Sequence, residues 1–235
     1  MADTRPILLL DIDNTILDFS AAEAAAIRRA FAAQGIAADD ALIARYSEIN
    51  LSQWELLERG LLTREQVLLR RFELLFAELG IKAPAAQIAE RYENELCVGH
   101  WFMPGAQELL ETLSGRCRLF IVSNGSAKVQ AARLASAGIG PYFENIFISE
   151  TLGADKPQPA FFERCFSQIP DFSPDRALLV GDSLSSDIRG AHNAGVPGCW
   201  YNPKGRPGRA DIRPEYEIRS LGELPALLER LFPGF

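Results

Sequence analysis

The chain has 235 residues, enough for one domain or one domain carrying an insert, and its 48% hydrophobic content supplies a core and argues against disorder. A net charge of −7 disfavours nonspecific binding to a nucleic acid polymer, which needs basic surface. Four scattered cysteines without a Cys-x-x-Cys pair, and only two histidines, give little support to a zinc site.

Residues 1–6 leave no room for a signal peptide before the first strand-like run, and no apolar stretch approaches the ~20 residues that span a bilayer. The expectation is a reducing, cytoplasmic location with no membrane partner. Ile7-Leu8-Leu9-Leu10 reads as a short strand buried on both faces, the kind found inside a parallel sheet. Asp11-Ile12-Asp13-Asn14-Thr15 follows at the strand's exit. Burying carboxylates there is expensive unless a cation or donor compensates them. In extended chain Asp11 and Asp13 share a side. They either solvate a turn or act as a nucleophile and a proton donor, and spacing alone does not order the two.

Residues 16–118 read mostly as helix. Ser20-Ala21-Ala22-Glu23 and Thr63-Arg64-Glu65-Gln66 are capping boxes. The first opens a helix stopped by Gly35; the second opens a stripe of Leu68, Phe72, Leu75 and Leu79 ending at Gly80. Helical patterns also fit 42–59 and 85–96, and no strand pattern interrupts 20–96. Pro104 suits the first turn of a helix through Leu113. The spacing then predicts strands over 119–122, 146–148, 177–180 and 198–201. Between them fall helices over 126–137, 159–168 and 187–194, and a last helix over 221–231 packs on the sheet. Cys117 and Cys165 read as buried thiols, and the basic run 204–209 as a solvated loop. Alternating strands and helices favour parallel crossovers.

Polar groups repeatedly follow an apolar strand: Ser123-Asn124-Gly125 after the second run, and Gly181-Asp182 with Asp187 after 177–180. Lys156-Pro157 lies in the loop before the helix that starts near Pro159. Ligands of open α/β sheets bind at the carboxyl ends of strands, so one site is the economical reading.

This ordered set resembles the four motifs of the haloacid dehalogenase superfamily of phosphohydrolases. A closer resemblance, to bacterial pyrimidine nucleotide phosphatases (5′-nucleotidases), rests on residues 50–71, on Trp200-Tyr201-Asn202-Pro203 and on Tyr216-Glu217-Ile218. The resemblance implies a Rossmann-like parallel α/β core, residues 1–18 and 100–235, with an inserted helical-bundle cap domain, residues 19–99, that selects the leaving group. It also implies Asp11 as nucleophile and Asp13 as the acid that protonates the leaving oxygen. Several carboxylates near a dianionic phosphate monoester call for a hard cation, and Mg2+ suits them. Asp11 and Asp182 are the expected side-chain ligands, with the family-implied backbone carbonyl of Asp13. Asp187 acts through water or behind the ligands, and reads equally as a carboxylate at a helix amino terminus.

Ser123, with backbone N–H groups near Asn124 and Gly125, is expected to bind phosphoryl oxygens, Lys156 to neutralise charge, and Thr15 to orient its loop. Asn50, Trp54, Phe72, Phe76, Tyr92, His100, Trp101 and Phe102 are the polar and aromatic candidates near the cap or its hinge, with Phe72 and Phe76 assigned to core. The expected activity is Mg2+-dependent hydrolysis of nucleoside 5′-monophosphates, pyrimidine ones foremost. A phosphoglycolate or sugar-phosphate phosphatase, a phosphoglucomutase-like phosphotransferase, a haloacid dehalogenase and a non-catalytic phosphate-binding module are the alternatives.

Overall fold

An uninterrupted apolar tetrapeptide has no face to give to water, and β1 (Ile7–Leu10) is buried at every residue. The structure is a computed structural model that describes residues 3–234; Met1, Ala2 and Phe235, the ends of the expected core, lie outside the described residues. After β1 come four helices in succession, α1 (Phe19–Ala32), α2 (Asp40–Glu58), α3 (Arg64–Leu79) and α4 (Ala85–Leu96). The chain continues through α5 (Ala106–Leu113), β2 (Arg118–Ser123), α6 (Ala127–Ala137), β3 (Asn145–Ile148), α7 (Ser149–Leu152) and α8 (Pro159–Phe166). It ends with β4 (Ala177–Gly181), α9 (Arg189–Ala194), β5 (Gly198–Tyr201), β6 (Tyr216–Ile218) and α10 (Leu224–Leu231). No helix of the described residues is long and apolar enough to cross a membrane.

The fold is α/β, with a helical insertion between β1 and β2. Among the described residues the six strands are all parallel, in the order β3-β2-β1-β4-β5-β6. Leu10 lies opposite Ile121 on one side and Val180 on the other, so β1 ends just short of its neighbours, which run on to Ser123 and Gly181 at the same edge. Alternate residues Ile7, Leu9, Phe120, Val122, Ala177 and Leu179 share one core with Phe161, Phe162 and Cys165 of α8. Side chains of alternating strand residues pack together because they emerge on one face. The last helix packs against α5.

Two compact units partition the chain: Met1–Asp18, Trp101–Ala127 and Ala137–Phe235 in one, Phe19–His100 with Lys128–Ser136 in the other. The second unit has its own core, in which the Tyr46, Phe72 and Tyr92 rings meet at centroid distances of 5.0 to 5.5 Å. A polar network sits beside these rings. Arg71, 1% exposed, donates to Asn50 Oδ1 at 3.0 Å and to Glu93 Oε1 at 2.6 Å. Asn50 Nδ2 donates to Glu23 Oε1 at 2.8 Å, Ser47 donates to the other Glu23 oxygen, and Trp54 Nε1 donates to Asn50 Oδ1 at 3.0 Å. Asn50 thus relays between a buried cation and a buried carboxylate. Burial nevertheless pushes the Glu23 carboxyl up, against the donors Ser47 and Asn50 and the Arg71 charge.

Most boundaries match the sequence reading, and the Thr63 capping box forms with both of its bonds. Several details differ. α1 begins at Phe19, so Ser20 is already helical, and the Glu23 carboxylate is taken by Ser47 and Asn50 rather than by a cap. The buried stripe of α3 runs through Val67, Arg71, Phe72, Leu75 and Phe76, leaving Leu79 45% exposed. Gly105, not the first helical turn, follows Pro104, because a left-handed residue at φ 79° caps α5. Tyr216–Ile218, too short for a period-two signal, adds the edge strand β6.

Arg71→Met should lower stability by about 3 kcal/mol, since it leaves Glu23, Glu93 and Asn50 without their cation; urea unfolding measures this. Because the folded Glu23 lies above its ordinary value of 4.5, its contribution is full below that value and is lost as pH rises through the folded one. Glu23→Gln should therefore gain stability relative to wild type as pH is raised toward neutrality in the same experiment.

Candidate active site

The backbone of β1 does not stop at Leu10: Asp11 N–H donates to Val180 O at 2.9 Å, carrying Asp11 to the sheet's carboxyl edge. There the chain folds back on itself. Ile12 O accepts from the N–H groups of Ile16 at 3.0 Å and Leu17 at 2.8 Å, and Asn14 turns in the left-handed region at φ 59°. Asn tolerates that conformation better than most residues. The turn brings buried Thr15 back, and its hydroxyl donates to Asp11 Oδ2 at 3.1 Å.

Lys156, 1% exposed, holds the other oxygen. Its ammonium donates to Asp11 Oδ1 at 2.8 Å, to Asp187 Oδ1 at 2.6 Å and to Val122 O at 2.8 Å. All three ammonium protons are therefore used. The loop that carries it is pinned by Asn124, whose amide accepts from Lys156 N–H at 2.8 Å and donates to Lys156 O at 2.9 Å. Asp187 lies in a single π-helical turn, Leu184–Ile188, rather than at the start of an α-helix, and its second oxygen accepts from Ser183 N–H at 3.0 Å. Such turns are rare and recur at functional sites. Gly181 makes room for it: a Cβ there would stand 2.2 Å from the Asp187 carboxylate.

One oxygen each of Asp11, Asp182 and Asp187 lies within 4.8 Å of the others. Burial is the largest influence on Asp11 and raises its carboxyl well above the usual range. Lys156 pulls it down, but Asp187, Asp13 and Asp182 push it up again. Asp182 is pushed up to about 6, by burial first and Asp187 next. Lys156 is drawn down by burial, yet Asp11 and Asp187 outweigh that and hold it above an ordinary lysine. The cluster therefore has more negative charge than one ammonium balances. All its donors are carboxylate oxygens, which suits a hard divalent cation such as Mg2+.

The structure thus gathers Asp11, Lys156, Asp182 and Asp187. Asp13 is part-exposed in the folded-back loop, near enough for its charge to raise Asp11. Ser123, 1% exposed, ends β2, and its hydroxyl accepts from Gly125 N–H at 3.0 Å, a local cap that engages one of the backbone donors expected for phosphate. Among the candidates outside this cluster, Phe72, Phe76 and Tyr92 are core and Trp101 is 39% exposed. His100 Nδ1 lies 2.8 Å from Ser136 Oγ. Sequence reasoning did not foresee the Asn124 clamp or the reach of Arg206 to Asp182. For Arg206 the one signal was a basic run directly after the strand that ends at Tyr201.

A parallel sheet with a helical insertion after its first strand and an acid–lysine cluster at its carboxyl edge defines a class of hydrolase. The chain belongs to the haloacid dehalogenase-like hydrolases, whose family profile matches residues 6–195. It is 42% identical to YfnB of Bacillus subtilis over 94% of each chain. The crystal structure of YfnB bound to magnesium superposes with a TM-score of 0.91 at 41% identity, covering 96% of this chain and 99% of that one. It is also 36% identical to the pyrimidine 5′-nucleotidase PynA of Streptococcus pneumoniae over 95% of this chain and 94% of the relative. With YjjG of Escherichia coli, another pyrimidine 5′-nucleotidase, the identity is 33% over 78% and 80%.

Gly181→Ala should displace Asp187 and cost about 1–3 kcal/mol through overpacking. Chemical denaturation compared with wild type checks it, and unchanged stability would mean that the turn has room to yield.

Proposed function

We propose that this hydrolase is a Mg2+-dependent phosphatase acting on nucleoside 5′-monophosphates, with pyrimidine nucleotides preferred. The observation that carries the reaction class is the buried Lys156 ammonium shared by Asp11 and Asp187, with Asp182 beside them. The nucleotide preference is supported by the relatives PynA and YjjG. In this reading residues 1–18 and 100–235 form the catalytic core and residues 19–99 the cap domain.

Asp11 is the nucleophile. Thr15 and Lys156 each hold one of its oxygens, which limits the rotations open to the carboxylate before attack. A carboxylate oxygen of Asp11 forms a bond to phosphorus as the ester P–O bond breaks. The leaving oxygen takes its proton from Asp13. Asp13, now a carboxylate, removes a proton from water, which attacks phosphorus, frees Asp11 and releases phosphate. Phosphoryl transfer depends chiefly on positioning and on countering charge. Lys156 remains protonated throughout, since its two carboxylates outweigh burial. Ser123, with the backbone at Asn124 and Gly125, meets the phosphoryl oxygens, while the Asn124 side chain keeps the Lys156 loop in place. Asp11, Asp182 and the Asp13 carbonyl would hold Mg2+, with Asp187 behind them, and the ion would neutralise the charge that accumulates on the transferred group.

Asp11→Asn should abolish turnover, by at least about a thousandfold in kcat, with the fold retained, because an amide forms no acyl phosphate. Steady-state kinetics with circular dichroism test this, and wild-type-like rates would remove the mechanism. Activity should vanish in chelator and return with Mg2+. A panel comparing kcat/KM for uridine, thymidine and purine 5′-monophosphates, phosphoglycolate, a sugar phosphate, a haloacid and an aryl phosphate tests the substrate. Far better turnover of phosphoglycolate or a sugar phosphate than of every nucleotide would sink the nucleotidase reading and leave the phosphatase.

A further inference from the structure

The loop after β5 is built inward from its polar atoms. Asn202, 1% exposed, continues the β5–β6 ladder by donating its N–H to Ile218 O at 2.8 Å. Its side-chain amide grips one residue of the basic run at both ends. Oδ1 accepts from Arg206 N–H at 2.8 Å, and Nδ2 donates to Arg206 O at 2.9 Å and to Glu217 Oε1 at 2.9 Å. A loop so closed has little freedom, although the Arg206 side chain is 47% exposed. Its guanidinium passes over the Trp200 ring, 5.9 Å from the centroid, and reaches Asp182. There it donates to the main-chain O of Asp182 at 2.6 Å and to Oδ2 at 3.2 Å. The same main-chain oxygen also accepts from Trp200 Nε1 at 2.9 Å.

We infer that Arg206, set by Asn202, is a positioning residue that fixes Asp182 for Mg2+. The inference rests on the reading of Asp182 as a metal ligand. Asp182 stands in a crowd of like charge, with Asp11 and Asp187 close by, and repulsion favours its turning out to water. Two donors converging on one carbonyl oxygen oppose that by holding the backbone of residue 182 from the outside. Arg206 has a second, opposing effect, since its charge competes with a cation for the carboxylate. The distances decide between the two. The short bond goes to the main chain and the long one to Oδ2, so anchoring outweighs competition. Outer partners of metal ligands typically change affinity by ~10–100-fold when removed.

The test is Mg2+ binding to the full chain by isothermal titration calorimetry, paired with the Mg2+-dependent rise in melting temperature. Arg206→Ala should raise the Mg2+ Kd by about tenfold and shrink the melting shift, while the melting temperature in chelator stays that of wild type. Arg206→Lys, which keeps one donor and the charge, should recover part of the loss. Arg206→Ala binding Mg2+ as tightly as wild type, or more tightly, overturns the inference, the latter by making Arg206 a competitor. Asp182→Ala separates the two levels of argument. If wild type binds Mg2+ and Asp182→Ala does not, the metal reading stands whatever Arg206 does. If wild type binds no Mg2+, that reading fails and the inference falls with it.

Discussion

A single ammonium group holds together the carboxyl edge of the sheet. Lys156 reaches Asp11 after β1, Val122 within β2 and Asp187 after β4, so its three protons tie segments 145, 34 and 31 residues away in sequence. In a region this buried, an unpaired charge of either sign would cost several kcal/mol. Each partner is therefore tolerable only because the others are in place. The local devices around it serve this constraint: the Asn124 clamp on the lysine's backbone, the Thr15 bond on the far oxygen of Asp11, and the empty space at Gly181 that admits Asp187.

The same constraint leaves the cluster one-sided. Three carboxylates crowd one lysine, with Asp13 adding to the field, and the carboxyl groups of Asp11 and Asp182 are both raised, by burial first and by these like charges after it. A site built this way is strained in charge until a cation or a proton relieves it, which gives oxygen-seeking metal chemistry a physical basis here. The helical unit resolves a similar problem differently. There Arg71 and the carboxylates of Glu23 and Glu93 are linked through Asn50 and neighbouring hydroxyl and indole groups, within a ring of aromatics. Hydrogen bonds satisfy its charged groups from within, so it reads as architecture.

Much of this was legible in residue order. Buried strands announce themselves as apolar runs because both faces are covered, and β1, β4 and β5 fall where those runs lie. Helix ends at Thr63, Gly80, Gly138 and Gly195 follow from capping and left-handed glycines, which are local effects. The reading failed where a distant partner outbid a local one. Glu23 sits where a capping box would use it, but Ser47 and Asn50 claim its oxygens. Asp187 looks like the start of an ordinary helix, but its pull toward Lys156 and Ser183 accompanies a π turn.

By itself, the sequence determined the alternation of buried strands and helices, the helical insertion, the acids and serine that follow strand ends, and the lysine in a loop before a helix. Those features depend on side-chain periodicity and on groups near in the chain. Only the tertiary structure decided which of these groups touch: that Lys156 takes Asp11 and Asp187 together, that Asn124 serves the lysine's backbone, and that Arg206 turns back over Trp200 to Asp182. The reason is physical. Pairing of buried charge is set by through-space distance and desolvation, and the strand order β3-β2-β1-β4-β5-β6 brings together residues that the chain itself keeps far apart.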